Sequence, residues 1–456
     1  MLLAKSEKSG GTSLYQHLLD VALVIEKIGV NNNLSVELLR KGALLHDIGK
    51  ASPVFQETLQ PKYSRSPDFI FRHEIASLFF ISLVRPEERA DVVRMIIAHH
   101  KSPLNDDREL GIVDLFKNVG LERCFEIHYK GFEVWQKDAL QLLLDLGFDS
   151  DRLNSITFIS REEAWDSFKF ALSLCREKVY GFSDLKGALM AADHLASSLT
   201  EKAKEIALER LFIRPVLNFY NRTSELYPLS LLNVDNAFPH TLVTAPTGAG
   251  KTDFLMRRCK GRVFYILPFQ ASINAMYDRF KKDLAETDAE IHLLHASAAI
   301  KLADASFEET ILQRYIGASV KVMTPHQIAS IVFGVKGYEA MLTDLKGCDV
   351  ILDEIHTYNP LMQSIVYKIV ELLLQVGCRV HIGTATMPAC LYHRLYEVLG
   401  GAEHVFEVRL PDEVLDQFDR HRIHKVDDRD VIDSLVERAV YERKKILIVM
   451  NKVGSA

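Results

Sequence analysis

The sequence predicts an all-α region followed by an α/β region built on a parallel sheet, with the start of a second α/β segment at the end. Three observations carry this. Apolar side chains recur at helical spacing through the first two hundred residues. From about residue 238, short β-rich apolar runs alternate with helices. The chain of 456 residues is also longer than one ordinary domain. Hydrophobic residues at 48% and charged residues at 25% are globular values, which exclude disordered and low-complexity classes. A net charge of -6 excludes a basic protein that coats nucleic acid, so any such contact must come from a local groove.

In chain order, LYQHLLDVALVIEKIGV, SVELLRKGALLHDIGK, FRHEIASLFFISLV, ADVVRMIIAHHK and SDLKGALMAADHLASSL each carry an apolar helical stripe. The stretch from Asn105 to Tyr180 is helical in pattern and extends the same domain, placed at residues 1–205. EKAKEIALERLF, then RPVLNFYNR, read as a helical linker, placed at 206–237. TLVTAP, RVFYILP, VKVMTP, CDVILDE and RVHIGTAT are buried strands of an α/β lobe at 238–408. KKILIVMNK belongs to the opening of a second lobe at 409–456, whose strand is left without a sheet, while Met1 reads as a native start. The six cysteines contain no C-x-x-C, which argues against a zinc ribbon or a secreted disulfide framework. MLLAKSEKSGG has no signal-peptide core, and no apolar run reaches 18 residues, so no membrane span is expected. A cytoplasmic protein, monomeric on its own, is the expectation.

His17, His46, Asp47, His73, His99, His100 and Asp193 lie on successive predicted helices. Imidazoles mixed with carboxylates favour a transition metal, whereas magnesium prefers oxygen ligands alone. Two such ions about 4 Å apart can activate a water and stabilise the leaving oxygen of a phosphodiester, and Asp47 is the natural bridging carboxylate. Lys50, one turn on, is placed to contact a phosphate. Gly49 suits a helix C-terminal turn. A lone helical histidine is most often a core or surface residue, and His128, His240, His292 and His295 fall in that class.

APTGAGKT (245–252) follows a strand and precedes a helix, the context a Walker A loop requires. Gly248 and Gly250 let backbone N–H groups approach phosphates, Lys251 reaches the β- and γ-phosphates, and Thr252 offers a hydroxyl to Mg²⁺. VILDEIH ends a strand about a hundred residues later. There Asp353 is placed to hold Mg²⁺ through water and Glu354 to polarise the attacking water.

In family order, YQHLLD, LLHDIGK, RHE, AHH, AADHLAS, TAPTGAGKT, YILPFQASINAMYDR, VILDEIH and TATMP resemble the CRISPR-associated helicase-nucleases of type I systems. The resemblance implies an all-α HD-superfamily nuclease domain joined to a RecA-like superfamily 2 helicase lobe. It implies one metal held by His17, His46, Asp47 and Asp193, and a second by Asp47, His73, His99 and His100. The ions would be two divalent transition metals (Mn, Fe, Co or Ni). Mg-ATP would sit on Gly248, Gly250, Lys251 and Thr252, closed by Asp353, Glu354 and His356. Thr384, Ala385 and Thr386 would couple nucleotide state to lobe movement. The segments 266–280, 293–298 and 323–329 would contact nucleic acid. The implied partners are single-stranded DNA and a crRNA-guided surveillance complex, with ATP-driven translocation during degradation of the strand.

The sequence departs from the family pattern in two places. LLNVDNAFPH holds no glutamine to read adenine upstream of the loop, and the later motifs of a second lobe do not follow. The helicase part as given is therefore expected to bind ATP weakly and not to unwind. Two rival readings are an HD nucleotide phosphohydrolase with a regulatory nucleotide-binding domain, and a helicase-derived docking module.

Overall fold

The computed structural model describes residues 2–6, 11–60, 71–97, 120–156, 158–176, 182–198, 208–294, 316–335, 337–417, 424–427 and 429–447. The chain separates into two compact units, 1–409 and 410–456.

The first unit opens with helices. Helix α1 (Leu14–Asn32) starts where the Ser13 hydroxyl accepts from Gln16 N–H at 3.1 Å, and it ends at Asn33, whose left-handed φ of 54° stops propagation. Its buried face carries Leu14, Leu18, Val21, Ile25 and Ile28 at helical spacing. Then come α2 (Val36–Leu45), a 3-10 turn (Ile48–Ala51), α3 (Pro53–Thr58), α4 (His73–Ser77) and α5 (Arg89–Ile97). Helices α6 (Leu121–Tyr129), α7 (Phe132–Asp145), α8 (Arg161–Arg176) and α9 (Asp184–Ser198) continue the bundle. Phe79, Phe80, Phe125, Phe132 and Phe168 form a buried aromatic cluster. Helix α1 packs on both α2 and α9, and His17 in α1 and His46 at the C-cap of α2 both face Asp193 in α9.

Among the described residues seven strands follow: β1 (His240–Thr244), β2 (Val263–Ile266), β3 (Ile291–Leu294), β4 (Val320–Met323), β5 (Asp349–Asp353), β6 (Arg379–Thr384) and β7 (Val405–Arg409). Every pairing is parallel, in the order β3-β4-β2-β5-β6-β1-β7. Helices α10 (Lys251–Arg258), α11 (Gln270–Asp283), α12 (Tyr338–Leu345), α13 (Pro360–Gln375) and α14 (Ala389–Val398) connect and cover them. The two outermost strands, β3 and β7, lie outside the five runs expected from sequence. The β7 run VFEVR has an exposed, polar-interrupted pattern, as an edge strand would. Because β1 and β5 both end on the same edge of the sheet, the loops after Thr244 and Asp353 meet there, where α/β sheets bind ligands.

The helical bundle and the sheet are packed through α9 and α12. A Cβ on Gly187 would lie 2.3 Å from Thr343 Oγ1 and 2.5 Å from Glu339 O, so the two helices approach closely only because residue 187 has no side chain. Lys186 pairs with Glu339 at 2.7 Å and Lys346 with Asp184 at 2.6 Å. Beside this contact, buried Asp344 accepts from Arg262 Nη1 and Lys321 Nζ, each at 2.7 Å, and from Gly317 N–H at 2.9 Å.

One expectation is corrected. The described part of 206–237 is not a helical linker. It is mostly irregular, with short 3-10 turns at Asn218–Tyr220 and Pro228–Leu231, and Pro215 and Pro228 deny it helix hydrogen bonds. It lies along the lobe instead, with Leu229 N–H donating to Ala249 O at 3.1 Å. The second unit contains α15 (Asp412–Gln417) and α16 (Arg429–Tyr441). The β-run expected after it shows no strand at residues 444–447, and the rest of that run lies outside the described residues.

Candidate metal centre and nucleotide pocket

The centre is assembled at the junction of α1, α2, the 3-10 turn, α4 and α9. His17 lies in the first turns of α1, and His46 and Asp47 lie between α2 and the 3-10 turn. Gly49 is required here by contact and not by a left-handed turn. Its missing Cβ would meet His73 O at 2.1 Å and Ser77 N at 2.7 Å. That close approach seats the N-terminus of α4, and with it His73, against Asp47. Ser77 ties the same elements, donating to His46 O at 3.0 Å while accepting from Gly49 N–H at 2.9 Å.

The carboxylate of Asp47 is fully buried and faces two ways. Oδ2 lies 2.8 Å from His17 Nε2, 3.4 Å from His46 Nε2 and 2.5 Å from Lys50 Nζ. Oδ1 lies 2.9 Å from His73 Nε2. Asp193 Oδ1, 3.6 Å from His17 Nε2 and 3.9 Å from His46 Nε2, closes the Oδ2 side and accepts from Ser197 Oγ at 3.1 Å. One donor atom from each of His17, His46, Asp47 and Asp193 lies within 4.8 Å of every other. These residues fit a metal. His46 Nδ1 donates to Ala43 O at 2.6 Å, which leaves the lone pair on Nε2, the atom facing both carboxylates. Burial alone would raise the Asp47 carboxyl, but the Lys50 ammonium, the neighbouring His46 and His73 and the His17 hydrogen bond hold it well below the usual range. Asp193 is likewise held low against its burial, by His46 and His17. Burial lowers His17 and His73, which favours the neutral form that ligates, while the Asp47 carboxylate opposes the shift at both. His99 and His100 lie outside the described residues.

The second cluster sits on the sheet edge. Gly248 and Gly250 adopt left-handed φ of 85° and 94°, which wrap the loop before α10. Lys251 Nζ rests on Ala245 O at 3.1 Å, 3.7 Å from Glu354 Oε1. Burial lifts the Asp353 carboxyl to about 6, while Tyr265 Oη, donating to its Oδ2 at 2.5 Å, opposes the rise. Tyr265 Oη is also 3.4 Å from Thr252 Oγ1. Glu354 has a left-handed φ of 55°, strained for a residue with a side chain. His356 Nδ1 lies 2.9 Å from Thr384 Oγ1, whose own proton goes to Thr386 O at 2.6 Å, so the histidine donates. Ala385 lies between these two threonines, beside the same bridge.

The cavity over the loop holds about 440 Å³ and is walled in part by Arg222, Ser224, Tyr227, Ser230 and Arg279. Sequence reading did not assign these residues to the nucleotide. Tyr227 Cβ would stand 3.1 Å from a Cβ on Gly250. Arg222 Nε pairs with Asp253 at 2.6 Å, and Arg279 pairs with the same carboxylate. An acidic residue directly after Gly-Lys-Thr, opposite two arginines, was the available signal. Of the segments expected to contact nucleic acid, 266–280 forms the end of β2, the following loop and most of α11, with Phe269 exposed; residues 295–298 lie outside the described residues.

Residues 14–119 match the HD domain family, and residues 230–393 match the DEAD/DEAH box helicase family. The chain joins an HD domain to a DEAD/DEAH box helicase domain. It is similar to the CRISPR-associated nuclease/helicase Cas3 of Methanothermobacter thermautotrophicus, 25% identical over 77% of this chain and 48% of that protein. It is also similar to the CRISPR-associated endonuclease/helicase Cas3 of Thermus thermophilus, 25% identical over 79% of this chain and 45% of that one. The chain thus spans about half the length of these relatives. In fold it resembles the crystal structure of T. fusca Cas3 with ATP, with a TM-score of 0.56 and 19% identity over 90% of this chain and 52% of that one. Among the described residues, no helix is long and apolar enough to cross a membrane.

Proposed function

We propose that the HD domain is a metal-dependent nuclease acting on single-stranded DNA, and that the helicase lobe carries the Mg-ATP site of an ATP-dependent translocase without unwinding DNA in this chain as given. The work would be degradation of invading DNA in type I CRISPR interference, in the cytoplasm, after recruitment by a crRNA-guided surveillance complex. The observation that carries the nuclease reading is the Asp47 carboxylate, one oxygen among His17, His46 and Asp193 and the other against His73. That is the disposition of a bridging ligand between two ions.

On this reading His17, His46, Asp47 and Asp193 hold one divalent transition metal (Mn, Fe, Co or Ni), and Asp47 and His73, with His99 and His100, hold the second. Bound ions of this kind activate a water and stabilise the leaving oxygen of a phosphodiester. Lys50, drawn onto Asp47 and one-tenth exposed, is close enough to the centre to turn toward an entering phosphate. In the lobe, Lys251 moves from its loop carbonyls to the β- and γ-phosphates, Thr252 and Asp353 support Mg²⁺, and Glu354 orients water. The His356–Thr384 bridge joins the residue beside that water to the strand leading to Thr386.

The test is circular single-stranded DNA incubated with the full chain under Mg, Mn, Co or Ni, with and without ATP, beside Asp47→Ala. Cleavage that needs a transition metal, ignores ATP and disappears in the variant is the expected result. Phosphate release from mononucleotides without DNA cleavage would instead favour a nucleotide phosphohydrolase.

A further inference from the structure

His128, on α6, is 1% exposed and outside the metal centre. Its hydrogen bonds fix one tautomer. Nδ1 lies 2.7 Å from Cys124 O, which only accepts, so Nδ1 carries the proton. Nε2 lies 3.1 Å from Arg72 N, which only donates, so Nε2 accepts. The Phe71 ring stacks on the imidazole at 5.1 Å with a 29° interplanar angle. Arg72 is the N-cap of α4, and the next residue is His73. Its side chain is buried on Glu74 at 2.7 Å. From the other side, the carbonyl of His73 rests against Gly49. The backbone entering α4 is therefore gripped between the imidazole of His128 and the glycine that follows His46-Asp47. The grip ends at His73 Nε2, 2.9 Å from Asp47 Oδ1. An apolar side chain at 128 would fill the same volume but leave the Arg72 amide without this acceptor.

We propose that His128 is a positioning residue for His73. It holds the Arg72 amide so that the second imidazole stands at the outer oxygen of Asp47, and so sets affinity on that side of the centre. The inference rests on the two-ion reading above.

The experiment is a Co²⁺ titration of the full chain, followed by visible absorption and calorimetry, for wild type, His128→Asn, His128→Gln and Phe71→Leu. The asparagine amide can still reach Cys124 O but is too short to reach the Arg72 amide, whereas the glutamine oxygen can take the place of Nε2. In His128→Asn the weaker of two ions should lose about 10- to 100-fold in affinity, with the tighter one unchanged. His128→Gln should recover it to within about threefold. Phe71→Leu loosens the same grip without touching a buried polar group and should weaken the same ion by up to about tenfold. That variant decides the matter if His128→Asn does not fold. Two ions bound with wild-type affinities in both His128→Asn and Phe71→Leu, or equal loss at both ions, would overturn the positioning role alone. Fewer than two ions in wild type would overturn the two-ion reading itself, and this inference with it.

Discussion

Replacing Tyr265 with Phe should make nucleotide binding more sensitive to acid. Asp353 is 4% exposed, and its ordinary value of 3.8 is raised to about 6 by burial, with the Glu354 charge adding to the rise. The Tyr265 hydroxyl, 2.5 Å away, stabilises the ionised form. A hydrogen bond to a charged group contributes about 1.5–3 kcal/mol, and 1.36 kcal/mol corresponds to one pH unit. Removing the hydroxyl should therefore move the Asp353 midpoint up to about 7–8. At pH 7 the ionised fraction would fall from about nine-tenths to between a half and a tenth, taking Mg-dependent nucleotide affinity down by about two- to tenfold. The sign is fixed: Mg²⁺ needs the carboxylate, so binding strengthens as pH rises, and the variant should regain most of its affinity by about pH 9. The assay is a fluorescent ATP analogue titrated with and without Mg²⁺ from pH 5.5 to 9. A midpoint that stays put or moves down in Tyr265→Phe would refute the reasoning.

Asp344→Asn leaves buried Arg262 and Lys321 without their carboxylate, which is held at about 2 chiefly by those two cations against its burial. The loss should be about 3–5 kcal/mol, seen as a lower thermal midpoint; an unchanged midpoint would show the cluster contributes little. Burial pushes His128 and His240 down to about 4, so each is neutral in the fold. Each contribution is fully present above the unfolded value of about 6.5 and is lost as pH falls from there toward 4, with His128 alone giving up about 2 kcal/mol between pH 7 and 5. Urea midpoints at the two pH values check this, and His128→Gln should flatten the difference. Gly187→Ala drives a methyl into Thr343 Oγ1 and Glu339 O and should cost about 1–3 kcal/mol. Wild-type unfolding of that variant would mean the helices part freely.

Much of this architecture was legible in the residues because its physics is local. Five strand runs sit between covered faces and read as continuous apolar stretches, and the loop from Ala245 to Thr252 is one contiguous motif. The grouping of His17, His46, Asp47 and Asp193 was implied by the family resemblance, but not their distances, which depend on α1 packing against α9. Gly49 was misread because a glycine after a helix suggests a turn, whereas here a neighbouring backbone excludes Cβ. Residues 208–237 looked helical by composition, yet their place over the nucleotide loop follows from long-range contacts such as Leu229 with Ala249. His128 looked like ordinary core because its partner is a main-chain amide 56 positions away, which no sequence pattern announces.

Gly187 and Asp193 ride on one uninterrupted helix, the first clasped by α12 and the second delivered to the candidate metal centre. Between them α9 acts as a spacer of fixed length and fixed phase. A single residue inserted or deleted there would swing Asp193 by about 100° around the axis and shift it by about 1.5 Å, with the clasp still closed. The lobe's surface loops can lengthen or shorten without such an effect. Any grafting of this HD domain onto another lobe must therefore carry the seam of the old one along, since the ruler that sets its carboxylate is read from the α12 side.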